Sequence, residues 1–167
     1  AGSVSSPKPV LRPARLNAAL GLVRKHMTRP TEFPKFIASV TFRGFVIEPS
    51  AVEAMIGTAA SLLVRRGESR IPGTTPFKRS AASWSKEFPS ETRIAEMIPA
   101  LLTDVGGVRH LLAIKNQVSP EFFEFDISMW ILDSEEQEGG SIGASTIAAL
   151  AELGASLSLG FYRLNEE

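Results

Sequence analysis

The chain has no cysteine among its 167 residues, which excludes disulfide bonds, thiolate chemistry and cysteine zinc sites. Only two histidines are present, His26 and His110, and neither has a second metal-type ligand at a helical or hairpin spacing. We therefore expect no metal site and no cofactor. The lack of cysteine is typical of a cytoplasmic protein, and we predict that location.

The sequence also lacks a long hydrophobic run and an excess of charge of one sign. No apolar stretch approaches the roughly 20 residues that span a bilayer, and 18 Lys and Arg balance 18 Asp and Glu. A neutral chain has no overall attraction to nucleic acid or to an anionic membrane, so we expect neither as a partner. With 44% hydrophobic and 22% charged residues, the composition is that of a globular domain with one core.

Residues 1–35 differ in composition from the rest of the chain. They carry seven Lys and Arg against one acid, Glu32, and three early prolines oppose regular structure. Apolar residues then recur at helical spacing between Leu16 and Val23, close to basic residues. This pattern is typical of an organellar transit peptide, or of a basic tail or docking segment at the start of a domain. We favour the second interpretation.

From Phe36 onward the hydrophobic pattern predicts one α+β domain over residues 36–164. Alternation predicts strands at 36–44, 80–88, 121–132 and after Gly154, with a short extended piece at 62–64. Spacings of three and four predict helices after Pro49, from Ile94 to Val105, at 108–117 and at 144–153. A strand, a short helix ending in glycine and an Ala-Ser-Leu exit occur twice along this domain. The repeat favours a ferredoxin-like plan, a mainly antiparallel sheet with helices packed on one face.

The last helix and strand are built from small and apolar residues, and we expect both to contribute to the core. The helix is predicted to bury Ile147, Leu150 and Leu153. The strand is predicted to turn Leu157, Leu159 and Phe161 inward.

Several segments resemble the domain of unknown function family catalogued as 4279. They are SVTFRG, IEPSAVEAMIG, VRRGE and SAASWS, and above all the closing GGSIGASTIAALAELGASLSLGFY. The resemblance covers about residues 36–164. It implies the fold class and a mostly bacterial, cytosolic setting, and it brings no established reaction, cofactor or catalytic residue. Where the family often has Ser-Pro-Glu-Thr, this chain has GAST at 143–146, so its last helix is expected to be less well capped.

If helices cover one face of the sheet, polar side chains gather on the other face. Side-chain parity places hydroxyls, two acids, a cation and two aromatic residues there. Arg makes forked bonds to carboxylates, and Trp and Tyr bury large areas at low entropic cost. We therefore predict a non-enzymatic module that binds a protein or a compact ligand, with five candidate binding residues: Arg43, Glu124, Asp126, Trp130 and Tyr162.

Other interpretations of this face stay open. It is simply exposed to solvent, as in many antiparallel sheets, or it is covered by the basic tail or by a second copy of the chain in a homodimer. Arg43, Lys86 or the tail would then pair with the two acids.

Bacterial domains of this size also act as toxin-neutralising immunity proteins. Finally, Glu124 and Asp126 lie about 6–7 Å apart along one strand, a separation compatible with acid/base work in an enzyme. Such pairs occur by chance in most sheets, so we assign no catalytic residue.

Overall fold

The computed structural model describes residues 36–69, 71, 73–89, 92–131 and 140–163. The predicted basic tail or docking segment at 1–35 lies outside the described residues, as do the acids of 133–138. The boundary predicted between residues 35 and 36 therefore stays a prediction.

Five strands and four helices occur in the described part of the chain. In chain order they are β1 (Phe36–Arg43), α1 (Pro49–Ile56), β2 (Leu62–Val64), β3 (Ala81–Phe88), α2 (Ile94–Asp104), α3 (Gly107–Val118), β4 (Phe122–Ile131), α4 (Ala144–Leu153) and β5 (Ser156–Arg163). The elements agree with the predicted ones to within a residue at each end. As predicted, Pro49 begins α1, and Gly57 and Gly154 follow α1 and α4 in the left-handed conformation.

The strands form one sheet in the order β2-β3-β1-β4-β5. β1 is antiparallel to both β3 and β4, and β2 is antiparallel to β3. β5 is parallel to β4, because α4 carries the chain back before β5 begins. The α+β class is confirmed. The sheet is mixed rather than purely antiparallel, and the ferredoxin-like topology is not confirmed.

The core lies between the helices and one face of the sheet. Alternate residues of the central strands have no exposed surface, among them Ala38, Val40, Phe42, Phe125 and Ile127. The helices meet them with Met97, Leu101 and Leu111, which are also fully buried.

Trp84 belongs to this core, as its parity with Ala82 indicates. Its ring meets Phe42 edge to face, with centroids 6.0 Å apart. Its indole Nε1 donates a hydrogen bond to the carbonyl oxygen of Thr58 at 3.0 Å, so the one polar group of this buried side chain has a partner.

No single helix in the described ranges is long and apolar enough to cross a membrane. Only α2 and α3 taken together have the length and composition, and they are bent by 63° at their junction.

Three apolar side chains predicted to be buried are instead exposed. Ile147 is 56% exposed, Leu159 47% and Phe161 63%. In α4 the buried stripe runs through Thr146, Leu150 and Leu153, so Ile147 lies to one side of it. Leu159 and Phe161 do face the helical side, in register with buried residues of β4, but among the described strands β5 is at the edge of the sheet and has a neighbour on one side only.

Two valines of the same segment provide a test of this core. Val40 is fully buried and Val46 is fully exposed. Val40→Ala removes two methyl groups from the core and leaves a cavity, which should lower the free energy of unfolding by about 2–3 kcal/mol. Val46→Ala is the control and should change it by less than about 0.5 kcal/mol. Urea denaturation of both variants measures the difference, and equal losses would contradict the described core.

Candidate functional site: the open sheet face

The face of the sheet opposite the helices is called the open face here. It is formed by the strand residues whose parity is opposite to that of the core residues. On β1, β4 and β5 these are Ile37, Ser39, Thr41 and Arg43; Phe122, Glu124, Asp126, Ser128 and Trp130; and Ser156, Ser158, Gly160 and Tyr162. All five candidate binding residues lie on this face, and each is partly buried.

An ion pair marks one end of the open face. Arg43 Nη2 lies 3.4 Å from Glu124 Oε2, and the two side chains are 23% and 34% exposed. The sequence offered Arg43, Lys86 or the tail as partners of the two acids, and Arg43 is the one that pairs with Glu124. Lys86 bonds elsewhere, to Asp104 of α2 at 2.7 Å. The pair holds both long side chains in place and offsets their charges.

Asp126 lies further along β4, among hydroxyl groups. Its Oδ1 accepts a hydrogen bond of 2.8 Å from the hydroxyl of Ser128. In the sheet register its neighbours are Ser39 on β1 and Ser158 on β5. Within the described residues no cation forms an ion pair with Asp126, so this carboxylate keeps its negative charge available to a partner.

Two stacked aromatic rings occupy the other end. Trp130 and Tyr162 are paired in register on β4 and β5, and their rings lie 5.7 Å apart at an angle of 30°. Sequence parity placed both residues on this face, and the structure brings them into contact. The stack forms a flat aromatic platform at the edge of the sheet.

Gly160 makes room for this platform, a role that the sequence reasoning missed. A Cβ at this position would lie 3.0 Å from both Cε2 and Oη of Tyr162, so any larger residue here would require the tyrosine ring to shift by a few tenths of an ångström. The signal was present, because a glycine inside a strand often marks a close approach.

Phe122 was also missed, and so was its contact with Arg79. The Arg79 guanidinium lies over the Phe122 ring at 5.0 Å from its centroid and bonds to Glu121 at 2.5 Å. Phe122 is in register with Arg43, so this group borders the charged end. Phe122 could have been found from its spacing, since it lies two residues before Glu124.

The arrangement is extended rather than concentrated at one point. Glu124 and Trp130 are six residues apart on one strand, which is roughly 20 Å. Between the charged end and the aromatic end lie Asp126 and a row of hydroxyls. Among the described residues no group of three His, Asp or Glu side chains could hold a metal ion. Such a surface can contact an elongated partner at several points.

The comparison with protein families is decisive for classification. A family model described as "Domain of unknown function (DUF4279)" matches residues 34–164. The chain belongs to the DUF4279 family. No curated protein and no solved structure matches it.

The DUF4279 match confirms the resemblance seen in the sequence. It contains every strand and helix described above and all five candidate binding residues. The departure at 143–146 also has a structural counterpart, because Gly143 caps α4 without a side-chain hydrogen bond. The DUF4279 description names no activity, so the chemistry of the open face is argued from its own geometry.

Gly160→Ala tests the aromatic platform. The added methyl group should displace the Tyr162 ring by a few tenths of an ångström relative to Trp130 and leave the buried Trp84 in place. In a two-dimensional NMR spectrum the indole N–H resonance of Trp130 should shift and that of Trp84 should not. Ser158→Ala, on the same strand and face, serves as the control. An unmoved Trp130 resonance would contradict the described stack.

Proposed function

We propose that this domain is a non-enzymatic binding module that holds a protein or ligand on its open face. The observation that carries the proposal is the stacked Trp130–Tyr162 pair on the same face as Asp126, a carboxylate with no ion-pair partner among the described residues. Aromatic anchors next to a charged group are typical of the residues that dominate binding energies at interfaces.

The side chains of this face are already held in place. Glu124 is fixed by Arg43, Asp126 by Ser128, and the two aromatic rings by each other. A partner that binds here therefore restricts few further rotamers, and the entropic cost of association is smaller. The rigid strands below add to this preorganisation.

The charges of the open face favour a cationic partner. In the register of β1 and β3, Glu87 joins Glu124 and Asp126 on this face, with Arg43 as the cation. A Lys or Arg of the partner can bond to Asp126 and lie over an aromatic ring. We therefore infer a protein segment or ligand that is positively charged and long enough to follow β4.

The enzyme alternative has weaker support. Glu124 and Asp126 lie two residues apart on β4, as expected from the sequence, but the charge of Glu124 is offset by Arg43. The immunity-protein alternative is a special case of protein binding and stays a prediction.

Two finer predictions belong to this proposal. The order β2-β3-β1-β4 with antiparallel pairing supports a ferredoxin-like plan extended by α4 and β5. A cytoplasmic setting rests on the absence of cysteine.

Affinity capture from the native source tests the binding proposal. The full chain should retain a set of proteins or ligands that is lost with Trp130→Ala, since truncating a tryptophan anchor weakens binding by roughly tenfold or more. Asp126→Asn, which removes the negative charge proposed to bond to a cation of the partner, should also reduce capture. Gln117→Ala, exposed on the helical side, is the matched control and should capture as the unmodified chain does.

Quantitative mass spectrometry compares the captured sets, and circular dichroism verifies that each variant is folded. Identical sets from all variants would refute a role for the open face. Turnover in a hydrolase or transferase panel that Asp126→Asn abolishes would favour the enzyme alternative instead.

A further inference from the structure

Exposed apolar side chains concentrate at one edge of the domain. In the described residues the large hydrophobic side chains with high exposure are Val46, Phe122, Ile147, Leu159 and Phe161. Phe122 has the Arg79 guanidinium over its ring. The last three belong to α4 and β5, and β5 is the edge strand of the sheet.

The helix that precedes β5 also carries an exposed apolar side chain. α4 packs against α2 and α3 and is followed directly by β5. Ile147 is exposed on this helix, and Leu159 and Phe161 are exposed on β5. We call these three side chains the β5 seam.

Most of the β5 edge lacks the features that keep edge strands from pairing, and its one charged residue, Arg163, is the last of the strand. It is eight residues long, and from Ser156 to Tyr162 it contains no charged residue and no proline. The opposite edge strand, β2, has only three residues. Short edges and charged or proline residues are the usual protections, and a long uncharged edge is a template for another strand.

We propose that β5 pairs with β5 of a second copy of this chain, antiparallel, in a dimer with twofold symmetry. The strand is self-complementary: its helical side carries Leu157, Leu159 and Phe161, and its open side carries Ser156, Ser158, Gly160 and Tyr162. A twofold axis perpendicular to the sheet keeps the helices of both copies on one side. The two sheets then join into one.

One register matches apolar residues throughout. With Leu159 opposite Leu159 of the partner subunit, Leu157 lies opposite the partner's Phe161, and Ser158 opposite the partner's Gly160. Directly opposed side chains of an antiparallel pair have Cβ atoms about 5 Å apart, so each exposed apolar side chain gains an apolar neighbour.

Charge and area are both compatible with such a dimer. The paired segments carry no charge from Ser156 to Tyr162, so antiparallel pairing opposes no like charges. An aromatic side chain can bury about 150–250 Å², and Phe161 is 63% exposed. The three apolar side chains and the strand backbone of both copies together offer on the order of 1,000 Å², the lower limit for a specific interface. We therefore expect a reversible dimer rather than an obligate one.

The dimer is independent of the proposed binding function, because it uses the outer edge of β5 and the helical side. It would also join the two open faces into one surface, with the two Trp130–Tyr162 platforms on either side of the axis.

Sedimentation equilibrium of the full chain tests the proposal, over about 1 to 200 μM, where an interface at the lower size limit is expected to dissociate. The unmodified chain should show a concentration-dependent monomer–dimer equilibrium. Phe161→Lys places a charge in the seam and should weaken the dimer by roughly tenfold or more. Val46→Lys, at another exposed apolar position, should leave the equilibrium unchanged.

A monomer at all concentrations would overturn the proposal, as would a dimer that Phe161→Lys does not weaken. Circular dichroism establishes that both lysine variants are folded, so a loss of dimer is not a loss of fold.

The absence of cysteine allows a second measurement that also tests the register. Leu159→Cys places two thiols opposite each other at the axis, within the Cα separation that a disulfide needs. Mild oxidation should therefore yield a covalent dimer. Leu157→Cys is the matched control, because in this register its two copies lie roughly 13 Å apart along the strands. Failure of Leu159→Cys to cross-link, or equal cross-linking of both variants, would contradict the proposed pairing.

Discussion

β1 is hydrogen-bonded on both sides, and this pairing determines the two faces of the sheet. Each β1 residue is opposite one residue of β3 and one of β4, so a single alternating strand assigns its neighbours to the core or to the open face. Val40, for example, is in register with Trp84 and Phe125, and all three are buried. A shift of one residue in any pair would expose a core side chain and bury a polar one, so the register is strongly specified.

The alternation of side chains that starts at β1 produces both the open face and the β5 seam. Near β1 the helices cover the apolar residues of the core face, and polar residues of the opposite parity are held by mutual contacts such as Arg43–Glu124. Toward β5 the side chains keep the same alternation between the two faces, but the helices no longer cover the core face completely. Leu159 and Phe161 are therefore exposed on that face, and the Trp130–Tyr162 stack lies on the other. The domain therefore offers two surfaces of different chemistry at neighbouring positions.

Much of this could be predicted from the sequence, because periodicity and turn residues act locally. Alternation in β1 and β4 predicted their faces, and Pro49, Gly57 and Gly154 predicted helix ends. The exposure of Ile147 could not be predicted, since it depends on which side of α4 meets its neighbours. Nor could the contact of Tyr162 with Trp130, because it requires β5 to enter beside β4 in one particular register. Non-local packing, rather than local preference, decided the outcome at these positions.

The central position of β1 has a consequence for biosynthesis. β1 is the first strand of the domain to be made, yet it lies between β3 and β4, and β4 follows three of the four described helices in the chain. Until β4 leaves the ribosome, Ala38, Val40 and Phe42 belong to a strand with an open edge, a state that favours aggregation. We therefore expect folding of the domain to be completed only after β4 has been synthesised.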